Sequence, residues 1–227
     1  MTLSVIIPTL DEERTIRETL ARLQRAAFSD ILVVDGGSGD GTVALVSEAA
    51  TGARLLTALR GRARQMNAGA AAATGDVLVF LHADTLLPPT AADDIRAALS
   101  NPDVVGGRFD AQFDRDRGLY WLVSRTMNWR SRLTGIATGD QAIFVRRTVF
   151  EAIGGFPDIP IMEDVAFSKC LKRRGRMAAL RSCVVTSARR WERHGPMRTI
   201  LLMWGLRLLF FLGVSPDRLH RLYSDVR

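Results

Sequence analysis

A chain of 227 residues that is 47% hydrophobic and 24% charged can bury a sizeable core and is too apolar to be a disordered tail. Its formal charge of +7 is almost wholly arginine, since Lys169 and Lys172 are the only lysines. Guanidinium forks suit phosphates, but nucleic acid and anionic lipid attract the same charge, so the balance alone selects no partner. Cys170 and Cys183 have neither zinc-site spacing nor disulfide density and are expected as buried thiols in a reducing compartment. The amino end lacks a basic region, and its apolar run is short and broken at Pro8, which argues against a signal peptide and for the cytoplasm.

The elements alternate. Ser4-Val5-Ile6-Ile7-Pro8 reads as a strand, and Asp11 as the cap of a helix that puts Ile16, Leu20, Leu23 and Ala27 on one face. Ile31-Leu32-Val33-Val34-Asp35 is the second strand, followed by a glycine loop at residues 36–41 and a helix over 42–50. Residues 54–59 read as a short strand and 63–73 as a helix. Val77-Leu78-Val79-Phe80-Leu81-His82-Ala83-Asp84 then forms a strand and its exit. Continuous Val, Ile and Leu runs of this kind are strands buried on both faces, so the pattern predicts βαβ units and a parallel sheet flanked by helices. Beyond Pro88-Pro89 come a helix at 91–99, a longer strand at 104–113, a Trp-rich helix at 120–132, a strand at 142–146, a turn at Gly154-Gly155 and a helix over 164–173.

Three strands end together at Pro8, Asp35 and Asp84. In open α/β sheets the carboxyl edge binds ligands, and carboxylates there suit a metal, the base or sugar of a nucleotide, or proton transfer. Gly39-Asp40-Gly41-Thr42-Val43-Ala44 also fits G-x-G-x-x-A after a strand, which would make the chain an NADP-binding oxidoreductase with Arg60, Arg62 or Arg64 on the extra phosphate. Asp35 and Asp40 beside a pyrophosphate, and no acid about 20 residues on, oppose that reading.

Several motifs in order carry a resemblance. Ser4 through Glu13, then Val33-Val34-Asp35-Gly36-Gly37-Ser38-Gly39-Asp40-Gly41-Thr42, Asn67-Ala68-Gly69, Gly75 through Asp84, Gly154-Gly155-Phe156 and Glu163-Asp164 resemble family 2 glycosyltransferases. Gly61 through Asn67 and the compact size are similar to a small bacterial subgroup. The resemblance implies the GT-A fold: an α/β, mostly parallel sheet with a nucleotide-donor half at 1–100, an acceptor half at 101–195 and an apolar, basic helical tail at 196–227. It also implies transfer of a sugar from a nucleotide diphosphate, with UDP preferred, to an acceptor hydroxyl with inversion.

By that resemblance Asp164, with Glu163 beside it, is the general base; the plainer role for either is a helix cap. Asp84 matches the last acid of a D-x-D motif holding Mg²⁺ or Mn²⁺ against the diphosphate; His82 replaces the first acid, and His194 is a candidate late ligand. Pro8, Thr9, Glu12, Asp35, Asn67, His82 and Ala83 line the donor pocket, with Arg62 and Arg64 reaching its phosphates; Gly36 stands where the family has a second acid. Gly139, Asp140 and Gln141, with Arg190 and Trp191, fall on the acceptor side. The expected partners are a nucleotide-sugar donor and a small-molecule or lipid-linked acceptor, with no nucleic acid.

Residues 200–214 are apolar almost all round, with basic flanks. They are too few to span a bilayer, and they can lie on an anionic membrane at its inner face, pack on their own domain or join a dimer. A catalytically silent, membrane-associated binding module is the third class of function, supported by His82 and Gly36.

Overall fold

The computed structural model describes residues 1–26, 28–49, 52–189, 192 and 195–224. In chain order these form β1 (Leu3–Thr9), α1 (Ile16–Gln24), β2 (Asp30–Asp35), α2 (Thr42–Glu48), β3 (Arg54–Thr57), α3 (Arg62–Ala72), β4 (Val77–Phe80), β5 (Thr85–Leu86), α4 (Ala91–Leu99), β6 (Val104–Phe113) and α5 (Leu119–Thr134). A short 3₁₀ turn (Gly139–Gln141), β7 (Ile143–Arg146), α6 (Arg147–Ile153), α7 (Glu163–Leu171), β8 (Arg176–Thr186), α8 (Pro196–Phe211) and α9 (Pro216–Ser224) follow. One sheet of eight strands runs β3-β2-β1-β4-β7-β6-β8-β5. β3, β2, β1 and β4 are parallel, β7 is antiparallel to both neighbours, and β8 is parallel to β6.

The strand order reverses between β1 and β4, because the chain first winds outward through β2 and β3 and then returns to the other side of β1. Ligands in such sheets bind at the carboxyl ends beside this reversal. Here it lies between Thr9 and residues 81–84.

Strand periodicity divides the core. Leu3, Val5, Ile7, Val33 and Val79 face α1, α2 and α4, while Ile6, Leu32, Val34, Leu78 and Phe80 face α3, α6 and α7. Both faces are therefore covered, which is why these strands read as unbroken apolar runs. Leu3, Ile6, Ile7 and Leu32 are wholly buried, and each such side chain contributes roughly 1.5–3 kcal/mol.

Several expectations need correction. Asp11 caps nothing: it has φ of +56°, and α1 begins at Ile16 after a Glu12–Ile16 turn. Its carboxylate accepts from the Gly39 N–H instead. Cys170 is exposed and Cys183 half-buried, so they are free but not buried thiols. The chain also contains β5 in its first half and α6 and β8 in its second, which the sequence pattern does not announce. Ala27 and Ala50 lie outside the described residues.

The tail packs on its own chain along one face: Leu206 of α8 and Leu219 of α9 join Ile161, Met162 and Val165 in a separate cluster. Among the described residues no helix is long and apolar enough to cross a membrane.

Candidate functional site

At the ends of β1 and β2, Thr9 and Asp35 are paired in register and buried. Asp35 accepts from the Gly37 and Ser38 N–H groups at 2.8 and 3.0 Å and from the Ser38 hydroxyl, so its carboxylate ties down the start of the glycine loop. Gln65 of α3, which sequence reasoning did not single out, joins the two strands. Its Nε2 donates to the Thr9 carbonyl at 2.7 Å and to the Val34 carbonyl at 2.8 Å. This explains Gly36: a Cβ there would lie 3.0 Å from three atoms of the Gln65 amide. An acid at position 36 and a glutamine at 65 compete for one space. Gly36→Asp is expected to displace the amide and cost about 1–3 kcal/mol for the two hydrogen bonds lost. Urea unfolding of Gly36→Asp and of Gln65→Ala tests this, the two losses being expected to be similar and the double variant to lose less than their sum.

The glycine loop keeps its donors for its own chain. Besides Gly37 and Ser38, the Gly39 N–H donates to Asp11, the Gly41 N–H to Glu13 and the Thr42 N–H to Asp40. A dinucleotide fingerprint needs these amides turned to a pyrophosphate, and five carboxylate bonds occupy them. The oxidoreductase reading of residues 39–44 is set aside on this ground. Glu12 belongs to the same knot: its N–H donates to Thr42 Oγ1, and its carboxylate accepts from Thr15 and from Arg189 at 3.1 Å.

Across the crevice α3, the exit of β4, the 3₁₀ turn and α7 bring a charged cluster together. Arg62 Nε lies 2.7 Å from Glu163 Oε1, and Glu163 is buried while Arg62 is 38% exposed. Burial works against the Arg62 guanidinium, but Glu163, Asp164 and Asp140 outweigh it and hold its pKa above the usual range. Burial pushes the Glu163 carboxyl up, opposed by Arg62. His82 lies 3.4 Å from Arg62 Nη1 through Nε2 and 3.3 Å from Asp140 through Nδ1. A guanidinium can only donate, so Nε2 accepts and the ring proton sits on Nδ1, facing Asp140. The ring lies so close to Gly139 that a Cβ there would collide with Nε2. Asp164 Oδ2 accepts from the Gly139 N–H at 2.9 Å, and Oδ1 from the Val165 N–H. Both acids occupy the first turn of α7, where the helix dipole favours negative charge.

Asp84 lies just past β4, its carboxylate 3.5 Å from the Thr85 hydroxyl, and Ala83 is buried with its carbonyl accepting from Thr19. Pro8 pairs with Val34 in the sheet. Asn67 uses both ends of its amide on the Phe156 backbone, clamping the Gly154-Gly155 turn. Arg64 donates to both oxygens of Asp158. Gln141 is buried and bonded to Thr138 and Asn128. Arg190, Trp191 and His194 lie outside the described residues. Among the described residues no three His, Cys, Asp or Glu side chains gather as a metal cage. Mg²⁺ is commonly held by one or two carboxylates plus substrate phosphates, and Asp84 beside a diphosphate fits that donor set. His82 is already committed to Asp140 and Arg62.

With this geometry, a model of Glycosyl transferase family 2 matches residues 4–154. The chain belongs to glycosyltransferase family 2. Its sheet and flanking helices form the GT-A fold of that family. Over 244 residues it is 28% identical to the undecaprenyl-phosphate 4-deoxy-4-formamido-L-arabinose transferase of Klebsiella pneumoniae subsp. pneumoniae, a match covering 98% of this chain and 71% of that protein. S. aureus TarS 1–349 has a similar structure, with a TM-score of 0.66 at 20% identity over 83% of this chain and 61% of that one. The mannosyltransferase PcManGT from Pyrobaculum calidifontis gives 0.63 at 25% identity over 81% of this chain and 56% of that one. The family 2 chain described here thus spans less than two thirds of either solved relative. Within the family 2 motifs, Asp35 is buried and hydrogen-bonded to the glycine loop and Glu163 is buried in its ion pair with Arg62, whereas Asp140, at 46% side-chain exposure, keeps access to solvent.

Proposed function

We propose that this chain transfers a sugar from a nucleoside-diphosphate donor, preferably a UDP-sugar, to an acceptor hydroxyl with inversion. The observation that carries the reading is the division of labour at the start of α7. Glu163 is buried against Arg62, and its neighbour Asp164 is held by the Gly139 N–H at the edge of the same cluster. In the proposed step Asp164 takes the hydroxyl proton as the acceptor oxygen bonds to the anomeric carbon. The bond from that carbon to the diphosphate breaks, and its electron pair leaves with the nucleoside diphosphate. Arg62 adds positive charge where the leaving group gains negative charge. Asp84 would hold the divalent cation, which supplies charge neutralisation to the phosphates when bound.

The relatives support this reading. TarS is described with UDP and with UDP-GlcNAc, PcManGT with GDP-Man and Mn²⁺, and the Klebsiella relative's name carries undecaprenyl phosphate. On the same reading residues 1–100 serve the donor, 101–195 the acceptor, and 196–227 form a tail. Calorimetric titration of UDP, GDP and NADP⁺ with and without Mn²⁺ tests it. UDP is expected to bind only with Mn²⁺, and Asp84→Ala to weaken it at least about tenfold, the equivalent of one charge-assisted contact. Binding of NADP⁺ alone, or UDP binding indifferent to both metal and Asp84, overturns it.

A further inference from the structure

Beside this site, α5, α7 and α8 enclose a groove of about 700 Å³. Five of its eleven lining residues are the cations Arg130, Lys169, Lys172, Arg173 and Arg207, and none is acidic. The two lysines are engaged: Lys172 Nζ donates to the Thr134 carbonyl at 2.7 Å, and Lys169 Nζ lies 5.1 Å from the Phe210 ring. The arginines differ. Among the described residues, Nε and Nη2 of Arg130 and Nε of Arg207 are buried without a hydrogen-bond partner. Burial, with the like charge of Arg207 next, draws the Arg130 guanidinium down to about 10.

Buried charged donors without acceptors are unfavourable, and two guanidiniums repelling each other compound the effect. An anion between them would satisfy the orphaned donors and cancel the repulsion. A bare anion, however, needs no hydrophobic wall, and this groove has one in Leu133, Val165, Phe210 and Phe211. At its mouth Phe211 is 76% exposed and continues a stripe along α8 made by Met197, Leu201, Trp204 and Leu208, all exposed. These positions recur at helical spacing and so share one face. A second copy of the chain is a poor occupant, since it would bring five more cations against these five.

We propose that the groove between α5, α7 and α8 binds a phosphate carried on an apolar chain, with Arg130 and Arg207 holding the phosphate and Phe210, Phe211 and Leu133 flanking the chain. This goes beyond the transferase reading and does not rest on it, because the test reads binding alone. Dodecyl phosphate below its micellar concentration and inorganic phosphate are titrated separately into the full chain at low ionic strength. Dodecyl phosphate is expected to bind at least about tenfold more tightly than inorganic phosphate, and Arg130→Gln with Arg207→Gln to weaken it by a similar factor while far-UV circular dichroism shows the fold intact. Phe211→Ser, at an exposed site where folding is not at stake, is expected to narrow the gap between the two probes. Equal affinity for both probes, equal binding by the double variant, or equal binding of uncharged dodecyl maltoside overturns the proposal.

Discussion

Replacing Asp164 by asparagine is expected to lower the rate of sugar transfer by about 10²–10⁴-fold, the usual contribution of a general base, and to leave UDP-sugar affinity unchanged. The substitution is nearly isosteric, and the amide oxygen can still accept from the Gly139 N–H that ties the 3₁₀ turn to α7, at the loss of the bond from the adjacent Val165 N–H. What is lost is the capacity to take a proton. Glu163→Gln makes the contrast, because the buried Glu163 carboxylate is paired with the half-exposed Arg62. Its substitution is expected to act through the position of Arg62. Single-turnover rates with donor saturating separate chemistry from binding in both variants. Asp140 is the next carboxylate around the cluster, in contact with His82. If Asp164→Asn keeps its rate and Asp140→Asn loses it, the base has been assigned to the wrong acid.

The parts of this fold legible in the sequence are those where one physical pattern dominates. Helix α4 and strand β6 match their expected bounds to the residue, since α4 carries Ile95 and Leu99 on one face and β6 opens on Val104-Val105 after Asn101-Pro102-Asp103 and alternates Phe109, Ala111 and Phe113 to its end. β8 escaped because its burial does not alternate: Arg176 and Arg181 are exposed and most residues between them half-buried. Its place is fixed by pairing with β6, a long-range contact that no local pattern carries. The glycine loop misled for a related reason. Its spacing fits a phosphate cradle, and only the fold reveals that Asp11 and Glu13 cross over to take the Gly39 and Gly41 amides. Gln65 is the functional-edge residue the sequence hid, because a lone glutamine in an alanine-rich helix carries no sign of two strand carbonyls waiting for it. The charged cluster stood differently. Arg62, His82, Asp140 and Glu163 were each visible as motif residues, but their mutual contacts needed the sheet to bring them together.

The Arg62–Glu163 contact predicts a stability that depends on pH in a stated direction. Arg62→Met is expected to lower the free energy of unfolding at pH 7 by about 2–3 kcal/mol, because it leaves a buried carboxylate unpaired. The figure sits at or below the low end for a fully enclosed pair, since Arg62 is 38% exposed and water screens part of the attraction. Burial holds the Glu163 carboxyl above its ordinary value in the folded chain, and Arg62 opposes that rise. The folded state therefore holds more protons than the unfolded state from the ordinary glutamate range upward, and stability falls as pH rises through that window. Removing Arg62 lifts the folded value further and deepens the loss at neutral pH. Below the ordinary glutamate range, about pH 4.3, the carboxyl is protonated in both states and this part of the deficit disappears. Urea unfolding of wild type, Arg62→Met and Arg62→Met with Glu163→Gln between pH 4 and 8 reads the effect as a difference between proteins. Contributions from other acids then cancel to first order. The single variant's deficit is expected to shrink on acidification, and the double variant, which lacks the Glu163 carboxyl, to lose less stability than wild type as pH rises. A deficit constant across that range would mean that Arg62 acts through packing of its stem on the crevice wall, and that Glu163 carries its charge without need of this partner.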